Sequence, residues 1–230
     1  MRKLLLRYFV PATLILTLSN KCFSQFDSLQ NIFYLKKLPP EGILLDKGWK
    51  FISGDNPVYA HPEYDDKKWQ PINPTLDIHD LPQVTKPGIG WLRLHLSIDS
   101  NLLKEQLAIM IHQSGASEIY LNGRLLYRFG IVSTDPNEVK AYDPVDKPVS
   151  ILFDKSMAQV LAVRFTLQPH LLYTNEFART NPLLEMGINQ TDRFFEPYFH
   201  NVGQDLDFFR IGVFFILTIL HLAFFLYYPV

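Results

Sequence analysis

The chain has 230 residues, a formal net charge of −1, and 20% charged residues in which both signs are interspersed. That balance argues against nucleic acid or an acidic surface as partner. The single cysteine, Cys22, excludes a disulfide framework and any multi-cysteine metal site.

The N-terminus reads as a secretory signal. Arg2, Lys3 and Arg7 form a positive segment, and residues 8–18 are apolar apart from Thr13 and Thr17. That run is too short to span a bilayer comfortably. Cys22-Phe23-Ser24 offers small residues at −3 and −1, so cleavage is expected between Ser24 and Gln25, with a signal over 1–24. An uncleaved anchor is disfavoured because Ser19-Asn20-Lys21 closes the apolar run early, and a lipoprotein signal because Lys21 sits where a small residue is needed. Removing this segment would remove the only thiol.

Residues 26–40 read as a lead-in ending in Pro39-Pro40. In residues 92–98, Leu92, Leu94, Leu96 and Ile98 alternate with Arg93, His95 and Ser97, the period of a half-buried strand. Residues 107–111 are continuously apolar, as in an inner strand. Asn122-Gly123 between two apolar runs predicts a hairpin with a type I′ turn, because both residues tolerate positive φ. Residues 133–148, rich in Asp and Pro, read as a long loop. Leu161, Val163, Phe165 and Leu167 mark another alternating strand, and residues 183–186 a short closing one. No helical period is sustained before residue 190. The pattern predicts an all-β antiparallel sandwich over 41–190, of about 150 residues and so large enough for its own core.

Residues 191–207 form a polar-aromatic connector, expected to be helical and continuous with the apolar segment after it. From Ile211 to Val230 there is no Asp, Glu, Lys or Arg, and twenty helical residues rise about 30 Å, the hydrocarbon thickness of a bilayer. A transmembrane helix is therefore expected over 208–229, with the sandwich exported. No Lys or Arg comes after the helix, which departs from the positive-inside tendency and suggests the first span of something longer.

The candidate chemistry is sparse. Adjacent Asp65 and Asp66 can bind Ca²⁺ or act as acid and base. In extended chain, however, they point to opposite faces, and Asp-Asp-x-x-Trp more plainly caps a turn and buries Trp69. A structural Ca²⁺ is thus not supported by the spacing. Trp91, Arg93 and His95 line one side of their strand, where an aromatic platform beside a guanidinium can hold a sugar or an anion; the plainer reading makes Arg93 a solvated outer-face residue. Trp49 and Trp69 are expected in the core. The histidines are scattered without zinc spacing, and no hydrolase or phosphate-loop motif occurs, so no catalytic residue, cofactor or metal is expected.

Several segments together carry a resemblance. They are Trp49-Lys50-Phe51 with Gly54-Asp55, Tyr64-Asp65-Asp66-Lys67-Lys68-Trp69, Gly88-Ile89-Gly90-Trp91-Leu92-Arg93, residues 114–123 ending in Leu121-Asn122-Gly123, and Leu161-Ala162-Val163-Arg164-Phe165. The set, over about 120 residues, resembles the galactose-binding-like jelly roll, best known as the sugar-binding domain of family-two glycoside hydrolases. One departure is Met157-Ala158-Gln159, where that family has Gly-x-Asn.

Between a signal peptide and a membrane helix, such a jelly roll resembles the input domain of bacterial seven-transmembrane receptors with diverse intracellular signalling modules. That resemblance implies a periplasmic sensor in the inner membrane, taking a small molecule or carbohydrate, able to act as a receptor dimer, with any histidine kinase beyond Val230. The alternatives are a fragment of a family-two-like glycoside hydrolase, and an adhesion or scaffold module that binds nothing. The ligand-binding residues expected are Trp91, Arg93, His95, Asp65 and Asp66.

Overall fold

The computed structural model describes residues 26–27, 31–145, 147–170 and 181–227; the expected signal segment lies outside them. Two β-sheets enclose the core. The larger has the order β1 (Phe26–Asp27), β2 (Ile32–Leu35), β6 (Ile89–Ile98), β11 (Ala158–Thr166), β8 (Ala116–Leu121), β9 (Arg124–Phe129). To it β4 (Lys50–Ser53) and β5 (Gln70–Pro71) are added beside β6. The smaller has the order β10 (Val149–Ile151), β7 (Leu107–Gln113), β12 (Leu184–Gln190), β3 (Ile43–Leu44).

The alternation read in residues 92–98 sets the layering. Leu92, Leu94, Leu96 and Ile98 are buried between the sheets with Leu161, Val163 and Phe165 of β11 and Ile109, Ile111, Met186 and Ile188 of the smaller sheet. The opposite face of β6 is buried too, which the half-buried expectation did not include. A second apolar cluster of Ala60, Trp69, Trp91 and Ala162, joined by Tyr59 and Tyr64, lies on the outside of the larger sheet. Residues 55–69 pass over that face, so β6 is covered on both sides at its start and opens only from His95 onward.

The lead-in is more ordered than expected. Residues 32–35 form β2, which runs parallel to β6 with Ile32 opposite His95 and Leu35 opposite Ile98, and Phe33 and Leu35 are buried. The folded unit therefore begins before residue 41, and the larger sheet is not wholly antiparallel. One edge of β6 is shared: β4 pairs with residues 90–93 and β2 with residues 95–98.

The hairpin forms as read. Asn122 and Gly123 take φ of 48° and 82°, and a register shift between Ile119 and Tyr120 gives β9 one extra residue. The closing strand β12 is longer than expected and central in its sheet. The expected loop carries one isolated bridge, Ile131 to Lys140.

From β12 the chain enters the second helix with no intervening loop. Thr191–Tyr227, here α2 after the four-residue α1 (Pro82–Thr85), is one helix of 37 residues containing Pro197. Connector and apolar segment are thus a single element. Its last twenty residues, Phe208–Tyr227, are long and apolar enough to cross a membrane, and none of that segment packs inside the protein.

Candidate functional site

The outer face of the larger sheet holds the site expected from sequence, arranged differently from the expectation. Lys50 of β4 stands opposite Arg93 of β6, and both reach Asp66. Asp66 accepts hydrogen bonds from Lys50 Nζ at 2.8 Å and Arg93 Nε at 3.0 Å, and lies 2.7 Å from His95 Nε2. Burial pushes the Asp66 carboxyl up, but the hydrogen bonds from His95, Lys50 and Arg93 outweigh it and hold the group well below the usual carboxylate range.

Arg93 is fully buried. Its Nη1 donates to the carbonyls of Tyr59 (2.5 Å) and His61 (2.9 Å), and its Nη2 to those of Pro62 and Tyr64 (3.4 Å each). The rings of Trp69 and Tyr64 lie 5.8 and 5.9 Å from the guanidinium carbon. A planar fork of donors suits such a set of carbonyls, so Arg93 rivets residues 59–66 to the sheet.

Neither Arg93 nor Trp91 is a ligand platform, because overlying chain seals both from solvent. Trp91 is 1% exposed and donates from Nε1 to Asp55 Oδ1 at 3.2 Å. Asp65 and Asp66 diverge as expected: exposed Asp65 accepts the Lys67 amide in a turn (3.1 Å), while Asp66 is buried. Trp69 is core, as expected. Among the described residues no group of three or more His, Cys, Asp or Glu is placed to hold a metal ion.

A second charged row crosses the same face. Arg164 of β11 grips Asp55 through Nε (2.7 Å) and Nη2 (2.5 Å) and reaches Glu118 through Nη1 (3.1 Å). Arg128 and the Tyr120 hydroxyl also donate to Glu118, each at 2.9 Å. Burial together with Glu118 pushes the Tyr120 phenol up to about 12. Lys50, Asp55, Glu118, Arg128 and Arg164 were not among the expected site residues. The outward parity of Glu118 and Arg164 in their strands marks the face they share, but their pairing is non-local.

Of the expected ligand residues, His95 opens onto a groove. Its side chain is 31% exposed, and it lines a depression of about 380 Å³ with Tyr34, Glu63, Ser97 and Asn122. That wall is braced by residues 154–160. Gln159 Nε2 donates to the Ser156 and Asp154 carbonyls, its Oε1 accepts from Asn122 Nδ2 (2.5 Å), and Asn122 Oδ1 accepts from the Val160 amide (2.7 Å). The longer Gln side chain thus ties the turn to the hairpin.

These features define a two-sheet β-domain with a riveted outer layer, joined without a loop to a helix that ends in an apolar segment. No family model and no curated protein sequence matches the chain. Among solved structures it is similar to a β-glucuronidase of Bacteroides uniformis, with 18% identity, a TM-score of 0.45, and coverage of 64% of this chain and 17% of that one. It is also similar to a glycosyl hydrolase family 2 member from Bacteroides cellulosilyticus (22% identity, TM-score 0.40, 64% and 20%). A third is the β-glucuronidase of Bifidobacterium dentium (17% identity, TM-score 0.38, 58% and 21%). The chain thus spans about a fifth or less of the length of each.

Proposed function

We propose that the chain is a membrane-tethered ligand-binding module, a galactose-binding-like jelly roll that serves as the periplasmic input domain of a bacterial signalling receptor. The observation that carries this reading is the unbroken passage from sheet to helix. Gln190 ends β12 and Thr191 begins α2. The joint is clamped, since the Thr191 amide donates to Gln106 O at 2.9 Å and Gln190 Nε2 donates to Glu105 at 2.5 Å. Phe194, one turn into the helix, lies against Gly187 of β12. A loop here would absorb a small displacement of the sheet, whereas a clamped helix passes it on as tilt or rotation of the apolar span.

In this reading the chain binds a ligand and transmits the change to the helix. Intact spheroplasts expressing the chain, treated with an added protease, test the orientation. Digestion of the sandwich is expected, and full protection would place it on the cytoplasmic side and end the proposal.

A second reading draws on the same motif set. Trp49, Trp69 and the Asn122-Gly123 turn occupy structural posts, and they belong to the motif set that resembles the sugar-binding domain of family-two glycoside hydrolases. On this reading the chain is a domain of such an enzyme. Turnover of any member of a panel of chromogenic glycosides by the natural full-length protein would favour it over the receptor.

A further inference from the structure

At the end of the sandwich where β6 starts and β11 stops, a cleft of about 410 Å³ lies between residues 78–89, 133–139 and 166–169. That volume falls in the range of small-molecule sites. Its lining is predominantly apolar, contributed by Ile78, Ile89, Val139 and Leu167. Pro87, Pro136 and Pro169 stand around it, and their fixed φ limits how far the walls can rearrange.

The polar lining includes Thr166 and Lys86. Thr166 lines the cleft, and its buried hydroxyl has no hydrogen-bond partner among the described residues, although buried polar atoms are nearly always partnered. Lys86 lines it as well and is exposed. None of the described residues that line the cleft is acidic. Of the neighbouring carboxylates, Asp77 is engaged with His79 and the Asn181 amide, and Glu138 with the Ser133 hydroxyl.

We propose that this cleft binds a small monocarboxylate with an apolar body, its carboxylate paired with Lys86 and its body over Ile78, Ile89, Val139 and Leu167. The proposal deepens the input-domain reading and rests on it for its consequence. The wall at residues 74–80 is laced to the chain that enters β12. Ile78 N donates to Asn181 O (2.9 Å), Asn181 N to Asp77 Oδ2 (3.0 Å), Leu183 N to Leu76 O (3.2 Å) and Leu184 N to Pro74 O (2.9 Å). Leu184 opens β12, and seven strand residues, about 23 Å, lead to the first residue of α2. Occupancy of the cleft therefore acts on the strand that carries the helix.

The test measures binding of benzoate and hexanoate, with their neutral isosteres benzamide and hexanamide, to the full chain in lipid nanodiscs by saturation-transfer NMR. At least one acid is expected to bind about tenfold more tightly than its amide. Lys86→Gln is expected to abolish that preference by weakening the acid about tenfold and leaving the amide unchanged. Lys104→Gln, a lysine elsewhere on the domain, is expected to leave both unchanged. Equal binding of acid and amide, an intact preference in Lys86→Gln, or no binding of either acid up to about 10 mM would overturn the proposal. Carboxylate binding by a domain shielded from protease would sink the input-domain reading and leave the cleft standing. A digestible domain that binds no acid would do the reverse.

Discussion

Removing the Asp66 carboxylate should unseat the outer layer of the larger sheet. Asp66→Ala deletes the acceptor of Arg93 Nε, Lys50 Nζ and the His95 ring in one step, and leaves a guanidinium with 0% exposure to solvent without its counter-ion. Breaking a buried pair from one side costs about 3–5 kcal/mol. For a domain of this size each kcal/mol moves the melting temperature by about 2–4 °C, so the loss should be about 6–20 °C. The four carbonyls held by Arg93 keep part of the rivet, which favours the lower half of that range. Near-ultraviolet circular dichroism of the full chain in detergent would follow the melt, since Trp69, Trp91, Tyr59 and Tyr64 all lie in the layer being loosened. The double variant Asp66→Ala/Arg93→Met should melt lower than Asp66→Ala, because losing the guanidinium also strands the carbonyls of Tyr59, His61, Pro62 and Tyr64. The pH dependence has a definite sign. A carboxyl held below its unfolded value of about 3.9 contributes stability above that pH and loses it as pH falls toward the folded-state value. The native chain should therefore lose stability below about pH 4 more steeply than Asp66→Ala. A fall of under about 2 °C, or a double variant more stable than the single one, would refute the rivet.

Three further outcomes are expected from the geometry. Gly130 has φ +78°, and a Cβ there would strike the Lys140 carbonyl, whereas Gly123 has φ +82° and its nearest neighbour would be 3.5 Å away. Chemical denaturation should therefore find Gly130→Ala losing about 2–5 kcal/mol and Gly123→Ala only about 1–2 kcal/mol; equal losses would contradict the assigned clash. Trp49 Nε1 donates to Leu45 O at 2.7 Å, while buried Trp69 Nε1 has no partner among the described residues. Trp49→Phe should thus cost about 1 kcal/mol or more beyond Trp69→Phe in the same assay. The Tyr120 phenol, raised to about 12 by burial and Glu118, should ionise late in an ultraviolet phenolate titration and earlier in Glu118→Gln. Because its folded-state pKa is raised, its contribution is full below about pH 10 and lost as pH rises toward the folded value.

Local pattern made much of the architecture legible. The two alternating strands, the Asn122-Gly123 turn and the twenty-residue apolar helix each depend on spacing within a few residues, so hydropathy and turn chemistry reach them directly. β2 escaped because residues 32–35 are short and pair with β6, some sixty positions away, in parallel rather than through a hairpin. The candidate site divides along the same line. That Asp65 and Asp66 serve different ends, and that Trp91, Arg93 and His95 share a face, are consequences of the geometry of extended chain.

Which of those side chains meet solvent is not. Parity places Arg93 on the outer face of the sheet but is silent about whether another segment lies over it. Residues 55–69 cross there, and the carbonyls of Tyr59, His61, Pro62 and Tyr64 turn an outward arginine into a buried rivet. The sequence by itself determined the two alternating strands, the turn and the apolar tail, because each is a property of neighbouring residues. Only the tertiary structure decided burial of the polar row, the groove at His95 and the cleft beside Lys86, because each is made where distant segments meet.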